Sequence, residues 1–285
     1  MRHLWRILFI AGLLATAAYA QAQNDRCAAA NILASFQSAV EGDSVEAWAQ
    51  GYGECPVQIQ RGVATMARGY RALWFQTPVL EGVIPFDGED DYAVIPFVEA
   101  FKVTEFTVEA WVYPEKVEVE WQTLVAKESE AAAERNFGLY IAPGGLQIHA
   151  SLYGEDCWTN FHFVSRDSLV LNDWNHVAMT FDGIVIRMYL NGILDSEQAY
   201  GGGVCQSAQP IILGGYPDIY SQFRGQMAEI HLWDHARSEQ EISEGMYATL
   251  TGDEPGLVGN WQMDDVESGI VYDRARGNHG VMRGR

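Results

Sequence analysis

The 285-residue sequence is short of positive charge: 18 Lys and Arg stand against 38 Asp and Glu, a formal net charge of −20. Such a surface repels phosphate backbones, which excludes nucleic acid as a partner, and it favours cations, calcium above all outside the cell. Cysteine is scarce, four in all with no Cys-x-x-Cys pair, so zinc-ribbon and thioredoxin-like chemistry is excluded. The sequence holds no His-Glu-x-x-His run, no Gly-x-Ser-x-Gly elbow and no phosphate-binding glycine loop. The zincin, serine-hydrolase and nucleotide-binding classes go with them. After the first 20 residues no stretch is apolar for the roughly 20 residues that a spanning helix needs, so no membrane insertion is expected once that segment is removed.

That first segment has a basic start (Arg2, Arg6), an apolar run from Ile7 to Ala18 and a small-x-small ending at Ala18-Tyr19-Ala20. It is the layout of a secretory signal peptide, expected over residues 1–20 with export to the periplasm or the exterior. Cleavage would deepen the net charge to about −22. In an oxidising compartment Cys27, Cys55, Cys157 and Cys205 are expected to be structural. Three connectivities are open. The economical one joins Cys27 to Cys55 and Cys157 to Cys205, because the first two lie in a segment of different character from the rest.

That segment, residues 21–78, is expected to be a small helical region closed by the first disulfide. Ala29, Leu33, Phe36 and Val40 recur at helical spacing, and a second short helix is expected from Asp43 or Ser44 through Val45, Ala47 and Trp48. Gln58 to Gln76 fits either a helix or a lead-in strand at Ala72 to Gln76.

After Pro78 the period changes to two. Phe106, Val108, Ala110 and Val112 share one face and Thr107, Glu109, Trp111 and Tyr113 the other. Asn175 to Leu190 repeats the alternation. Asp182-Gly183, Asn191-Gly192 and Pro143-Gly144-Gly145 mark hairpin turns. One helix is signalled, from Ser238, where a capping box with Glu241 precedes the apolar stripe Ile242, Met246 and Leu250. Roughly a dozen short strands over about 200 residues predict an all-β, two-sheet antiparallel jelly-roll sandwich over residues 79–285.

In this order, Phe86-Asp87-Gly88-Glu89-Asp90-Asp91-Tyr92, Phe106 to Val112, Trp174-Asn175-His176-Val177-Ala178, Tyr189-Leu190-Asn191-Gly192, Phe223-Arg224-Gly225, Ala228 to Trp233 and Gly256 to Asp264 resemble the laminin-G-like jelly-roll domains of the concanavalin A-like lectin/glucanase superfamily. The resemblance implies two antiparallel sheets that bind glycans or proteins, often with a calcium ion. Calcium takes six to eight oxygens, and the acidic loop with Asp87, Asp90 and Asp91 offers carboxylates. By the family pattern Glu229 and Asp264 would complete the site. The glucanases of the superfamily need Glu and Asp at alternate positions of one strand, about 5 Å apart. Here Glu229 is followed at those positions by His231 and Trp233, so no enzyme is expected.

Nine tryptophans turn attention to stacking. Trp174 and Trp261 are expected in the core. Trp111 and Tyr113, opposite the core face, and Trp158, beside Cys157, are the candidate ligand-binding residues. The expected function is a secreted recognition module for carbohydrate or an extracellular protein, with a structural or adhesion subunit as the alternative and a glycoside hydrolase behind both.

Overall fold

A computed structural model describes residues 80, 82–128, 135–216, 221–263 and 268–284 in full. It also gives the backbone of three short N-terminal strands: β1 (Ser44–Glu46), β2 (Val63–Met66) and β3 (Tyr70–Leu73). The chain divides into two units, Met1–Pro78 and Val79–Arg285. The expected signal segment, the helix through Ala29 to Val40 and the Cys27–Cys55 bridge lie outside the described residues.

In the first unit β2 and β3 pair antiparallel and β1 joins β3 in parallel. This corrects the second short helix expected from Ser44. A helix of two turns cannot repay its nucleation in water, whereas a ladder on β3 gives the backbone of Ser44–Glu46 its partners.

The second unit is a two-sheet antiparallel sandwich. Its strands are β4 (Ile84–Asp87), β5 (Tyr92–Ile95), β6 (Phe106–Pro114), β7 (Gln122–Glu128), β8 (Arg135–Ile141), β9 (Gln147–Tyr153), β10 (Asn160–Ser168), β11 (Asn175–Phe181), β12 (Val185–Leu190), β13 (Ile193–Ala199), β14 (Ile211–Leu213), β15 (Arg224–Trp233), β16 (Leu257–Trp261), β17 (Ile270–Val271) and β18 (Gly280–Arg283). One sheet runs β10-β9-β8-β7-β14-β5-β18-β17, the other β13-β12-β11-β6-β15-β16 with β4 paired to β15.

The turn signals explain the connections. Asn191 and Gly192 both take positive φ between β12 and β13, as a two-residue turn of this kind demands. Asp182 Oδ1 accepts the amides of Ile184 and Val185 to close the β11–β12 turn.

Phe106, Val108, Ala110 and Val112 from one sheet meet Phe137, Leu139, Ile141, Ile148, Ala150 and Leu152 from the other in a single core. Trp261 is buried in it, edge-on to Phe101, whereas Trp174 is half-buried against Tyr113. Cys157 and Cys205 are bonded as expected. The one α-helix among the described residues, α1 (Glu239–Gly245), starts on the Ser238–Glu241 capping box. It stops one turn short of the expected stripe, since Met246 is its C-cap.

Candidate functional site

The outer faces of the two sheets differ. On the seven-stranded sheet α1 covers part of the face: Ile242 packs on Ala178 and Tyr189. Trp111 is only 3% exposed, its Nε1 donating to the Met246 carbonyl at 2.8 Å. A ring that stacks on a ligand must be reachable, so the ligand-binding role expected of Trp111 is corrected to an anchor for the helix. Sequence alternation placed Trp111 off the core face rightly, but could not show that a distant segment covers it.

Beneath that cover lies a buried charged network. Glu109 Oε1 accepts from Arg237 at 2.6 Å and Trp233 Nε1 at 2.8 Å, and lies 3.3 Å from His231 Nδ1. His231 Nε2 faces Glu229 at 3.5 Å. Burial pushes the Glu109 carboxyl up, but the His231 hydrogen bond and the positive neighbours outweigh it and hold it at about 2. Burial takes His176 down to about 4 against the pull of Glu109. For His231, burial is outweighed by Glu109 and Glu229, and its pKa is raised. The network ties β6, β15 and α1 together.

Tyr113 sits at the end of β6, half-buried, its ring 5.5 Å from that of Trp174. Trp158 stands at the tip of the β9–β10 hairpin, 71% exposed. Its loop is rigid: Asp156 Oδ1 accepts the amides of Trp158 and Thr159, and Cys157 is tied to Cys205. Trp111 and Tyr113 share one face of β6, whereas Trp158 stands on a hairpin of the other sheet, so the three do not form one site.

The acidic loop does bring Asp87, Asp90 and Asp91 together, one carboxylate oxygen of each within 4.8 Å of the others. That is three of the six to eight oxygens that calcium takes. However, Asp87 Oδ1 already accepts the amides of Glu89, Asp90 and Asp91, and Arg224 donates to the Asp87 carbonyl. Glu229 cannot join them. It stands five residues along β15 from Arg224, the ladder partner of Asp87, about 16 Å at the rise of a strand, and it faces His231. Asp264 lies outside the described residues.

The outer face of the eight-stranded sheet carries a group that alternation could have exposed. Opposite the core residues of β8 and β9 stand Asn136, Gly138 and Tyr140, and His149, Ser151 and Tyr153. The Tyr140 ring reaches back over Gly138: a Cβ at that glycine would collide with Cε2, Cζ and the hydroxyl oxygen at the ring's edge. Trp121, 40% exposed, stands 6.3 Å from Tyr140 at an interplanar angle of 77°, and 4.7 Å from His149. His149 stacks on exposed His162 at 5.1 Å. Together they form one aromatic group.

At the other end of β8 and β9, Arg135 Nε lies 2.8 Å from Glu128 Oε2 while its NH1 donates to the Tyr153 hydroxyl at 2.8 Å. The Tyr216 hydroxyl reaches the Glu128 carbonyl at 3.5 Å. Burial works against the charge of Arg135, but Glu128 and Tyr153 more than offset it. Burial raises Tyr140 well above the usual phenol range, with Glu128 adding to the effect. Burial, aided by His162, takes His149 down to about 4. At neutral pH the face therefore offers the rings of Trp121, Tyr140 and His162, beside a largely buried Arg135–Glu128–Tyr153 cluster. Such a surface stacks on apolar ring faces and hydrogen-bonds hydroxyls.

Comparison with known proteins agrees with this architecture. A candidate carbohydrate binding protein from Bacteroides ovatus ATCC 8483 superposes with a TM-score of 0.58 and 20% identity, over 84% of this chain and 65% of that one. Pappalysin-1 of Mus musculus is 32% identical over 84 residues, which are 28% of this chain and 5% of pappalysin-1. The laminin G family model described as concanavalin A-like lectin/glucanases superfamily matches residues 87–243. That match spans more than half of the sequence, and the chain belongs to the concanavalin A-like lectin/glucanases superfamily.

Proposed function

We propose that this is an exported, non-enzymatic recognition module that binds carbohydrate on the outer face of its eight-stranded sheet. The observation that carries the reading is the aromatic group of Trp121, Tyr140, His149 and His162 on that face, with Trp121 and His162 exposed. A sugar ring has an apolar face and a polar rim, and this arrangement offers a partner to each. The carbohydrate binding proposed for the Bacteroides ovatus protein points the same way. The Cys157–Cys205 bond supports export, since such bonds persist in oxidising compartments.

Titration calorimetry of the chain against oligosaccharides chosen from a glycan array tests the reading. Trp121→Ala and Tyr140→Ala should each weaken binding at least tenfold, while Trp111→Phe, on the opposite sheet, leaves it unchanged. Equal affinities for all four proteins would move the site elsewhere.

Calcium belongs to this proposal as a structural ion held by Asp87, Asp90 and Asp91. Its measure is thermal: calcium should raise the melting temperature, and Asp90→Asn should remove the increment. A melting temperature indifferent to calcium and to chelator would eliminate the ion. A protein partner is the second reading, favoured by Trp158 at 71% exposure on its disulfide-held tip. There Trp158→Ala would abolish assembly and spare glycan binding.

A further inference from the structure

We propose that one end of the sandwich, formed by the loops 115–121 and 169–174 and the turn 142–146, docks a second protein that presents apolar side chains among lysines and arginines. The surface is independent of the carbohydrate reading. It also lies at the opposite end of β9 and β10 from the Trp158 tip, because the turn 142–146 leads into β9 and the Trp158 loop leaves it.

Three backbone hydrogen bonds gather these segments. The Gly144 amide donates to the Glu118 carbonyl at 2.7 Å, that of Asn172 to Pro114 at 2.8 Å and that of Leu169 to Leu146 at 2.8 Å. The Asn175 side chain holds Val170, its Oδ1 accepting the Val170 amide and its Nδ2 donating to the Val170 carbonyl. Loops held in this way lose little freedom when a partner arrives, which lowers the cost of binding. On that scaffold the apolar side chains face water. Ten large hydrophobic residues are exposed among the described residues, and five of them, Val117, Val119, Trp121, Val170 and Leu171, belong to these two loops. Val119 is 80% exposed and Val170 54%. Trp121 turns to the aromatic face, against Tyr140 and His149. The other four remain at the end itself. Exposed apolar residues scattered singly are ordinary, whereas their concentration at one place marks an interaction surface.

Charge decides the occupant. The two loops and the turn carry Glu115, Glu118, Glu120 and Asp173 against Lys116 alone, and Lys116 Nζ is already 2.8 Å from Glu118. The apolar patch therefore has an acidic rim. A second copy would bring the same acids onto these, each copy carrying −20, and an anionic lipid surface meets the same repulsion. A partner with apolar side chains for Val119, Val170 and Leu171 and a basic surround for the glutamates satisfies both parts of the surface.

The experiment is fluorescence anisotropy of dye-tagged octapeptides titrated with the full chain: alternating Lys and Leu, alternating Glu and Leu, and alternating Lys and Ser. The Lys-Leu peptide should bind at least tenfold more tightly than either of the others. Val119→Ser combined with Leu171→Ser should weaken it at least tenfold. Both side chains are exposed, so circular dichroism and the melting temperature should match the parent. Glu120→Lys should weaken the Lys-Leu peptide several-fold, whereas Trp158→Ala, at the far end, leaves it unchanged. Failure of the Lys-Leu peptide to bind overturns the proposal. Equal binding of either other peptide, or an unaltered affinity in the double variant, overturns it too, because the attraction would then need only charge or only apolar surface. Sedimentation of the chain alone and flotation with phosphatidylcholine vesicles complete the test. Self-association or vesicle binding that the double variant abolishes would give the surface to a second copy or to lipid and overturn the protein partner. Glycan binding is read separately, with Trp121→Ala and Tyr140→Ala, and stands or falls on its own.

Discussion

Gly138 is where one missing atom shapes a surface. Its Cβ would occupy the space of the Tyr140 ring, so Gly138→Ala must tilt that ring or displace the backbone of β8. Overpacking of this kind costs about 1–3 kcal/mol. The variant should remain folded by circular dichroism, lose about that much in urea denaturation, and bind oligosaccharide several-fold more weakly though residue 138 itself touches no ligand. Full affinity would show that the Tyr140 ring takes no part in binding. At this scale the sequence was partly legible. Alternation separates core from outer face in β6, β9 and most of β8, but a bulge takes Arg135 out of phase, and alternation says nothing about what lies over an outer face. Trp111 and Tyr140 are equally far from the core pattern. Contacts with Met246 and Tyr247, more than 130 residues on, cover the Trp111 ring, whereas Tyr140 stays half-buried.

At the scale of elements, signals resting on neighbouring residues were the readable ones. Asn191-Gly192 makes its turn because both residues take positive φ, and Ser238 with Glu241 makes its cap through hydrogen bonds between residues three apart. Strand β1 was misread because three residues have no local preference strong enough to resist a ladder offered by β3. The cap also yields a test that separates the two sheets. Ser238→Ala removes an N-cap worth about 1 kcal/mol, which should lower the melting temperature by about 2–4 °C for a unit of this size. It should leave oligosaccharide affinity unchanged, since α1 covers the opposite sheet. A loss of binding in thermal-shift and calorimetric assays of this variant would mean that the helix-covered face matters to the ligand. The Cys157–Cys205 bond closes 48 residues and contributes about 4 kcal/mol in the chain-entropy account, so it holds the β9–β10 hairpin that presents both His162 and Trp158.

For the whole molecule, the buried ionisable groups fix how stability depends on pH. His149 and His176 are each held at about 4 by burial, below the usual 6.5. Between those values the unfolded chain binds protons that the folded one refuses, so stability is full above pH 6.5 and falls as pH drops toward 4. Each shift corresponds to at most about 3.4 kcal/mol. Glu109, at about 2 instead of 4.5, continues the loss from pH 4.5 downward, because its folded form keeps a charge that the unfolded form surrenders. His231 runs the other way: its raised pKa gives stability present below 6.5 and lost as pH rises through its folded value. The sum is a maximum near neutrality and a steep acid limb. His149→Phe keeps an aromatic ring against Trp121 while deleting one of the two histidines that set the upper part of that limb. Urea midpoints measured from pH 7 to pH 4 should therefore fall about half as steeply in the variant as in the parent. Parallel curves would assign the limb to Glu109 and His176, on the sheet that α1 partly covers, and would leave the binding face without a share in acid sensitivity.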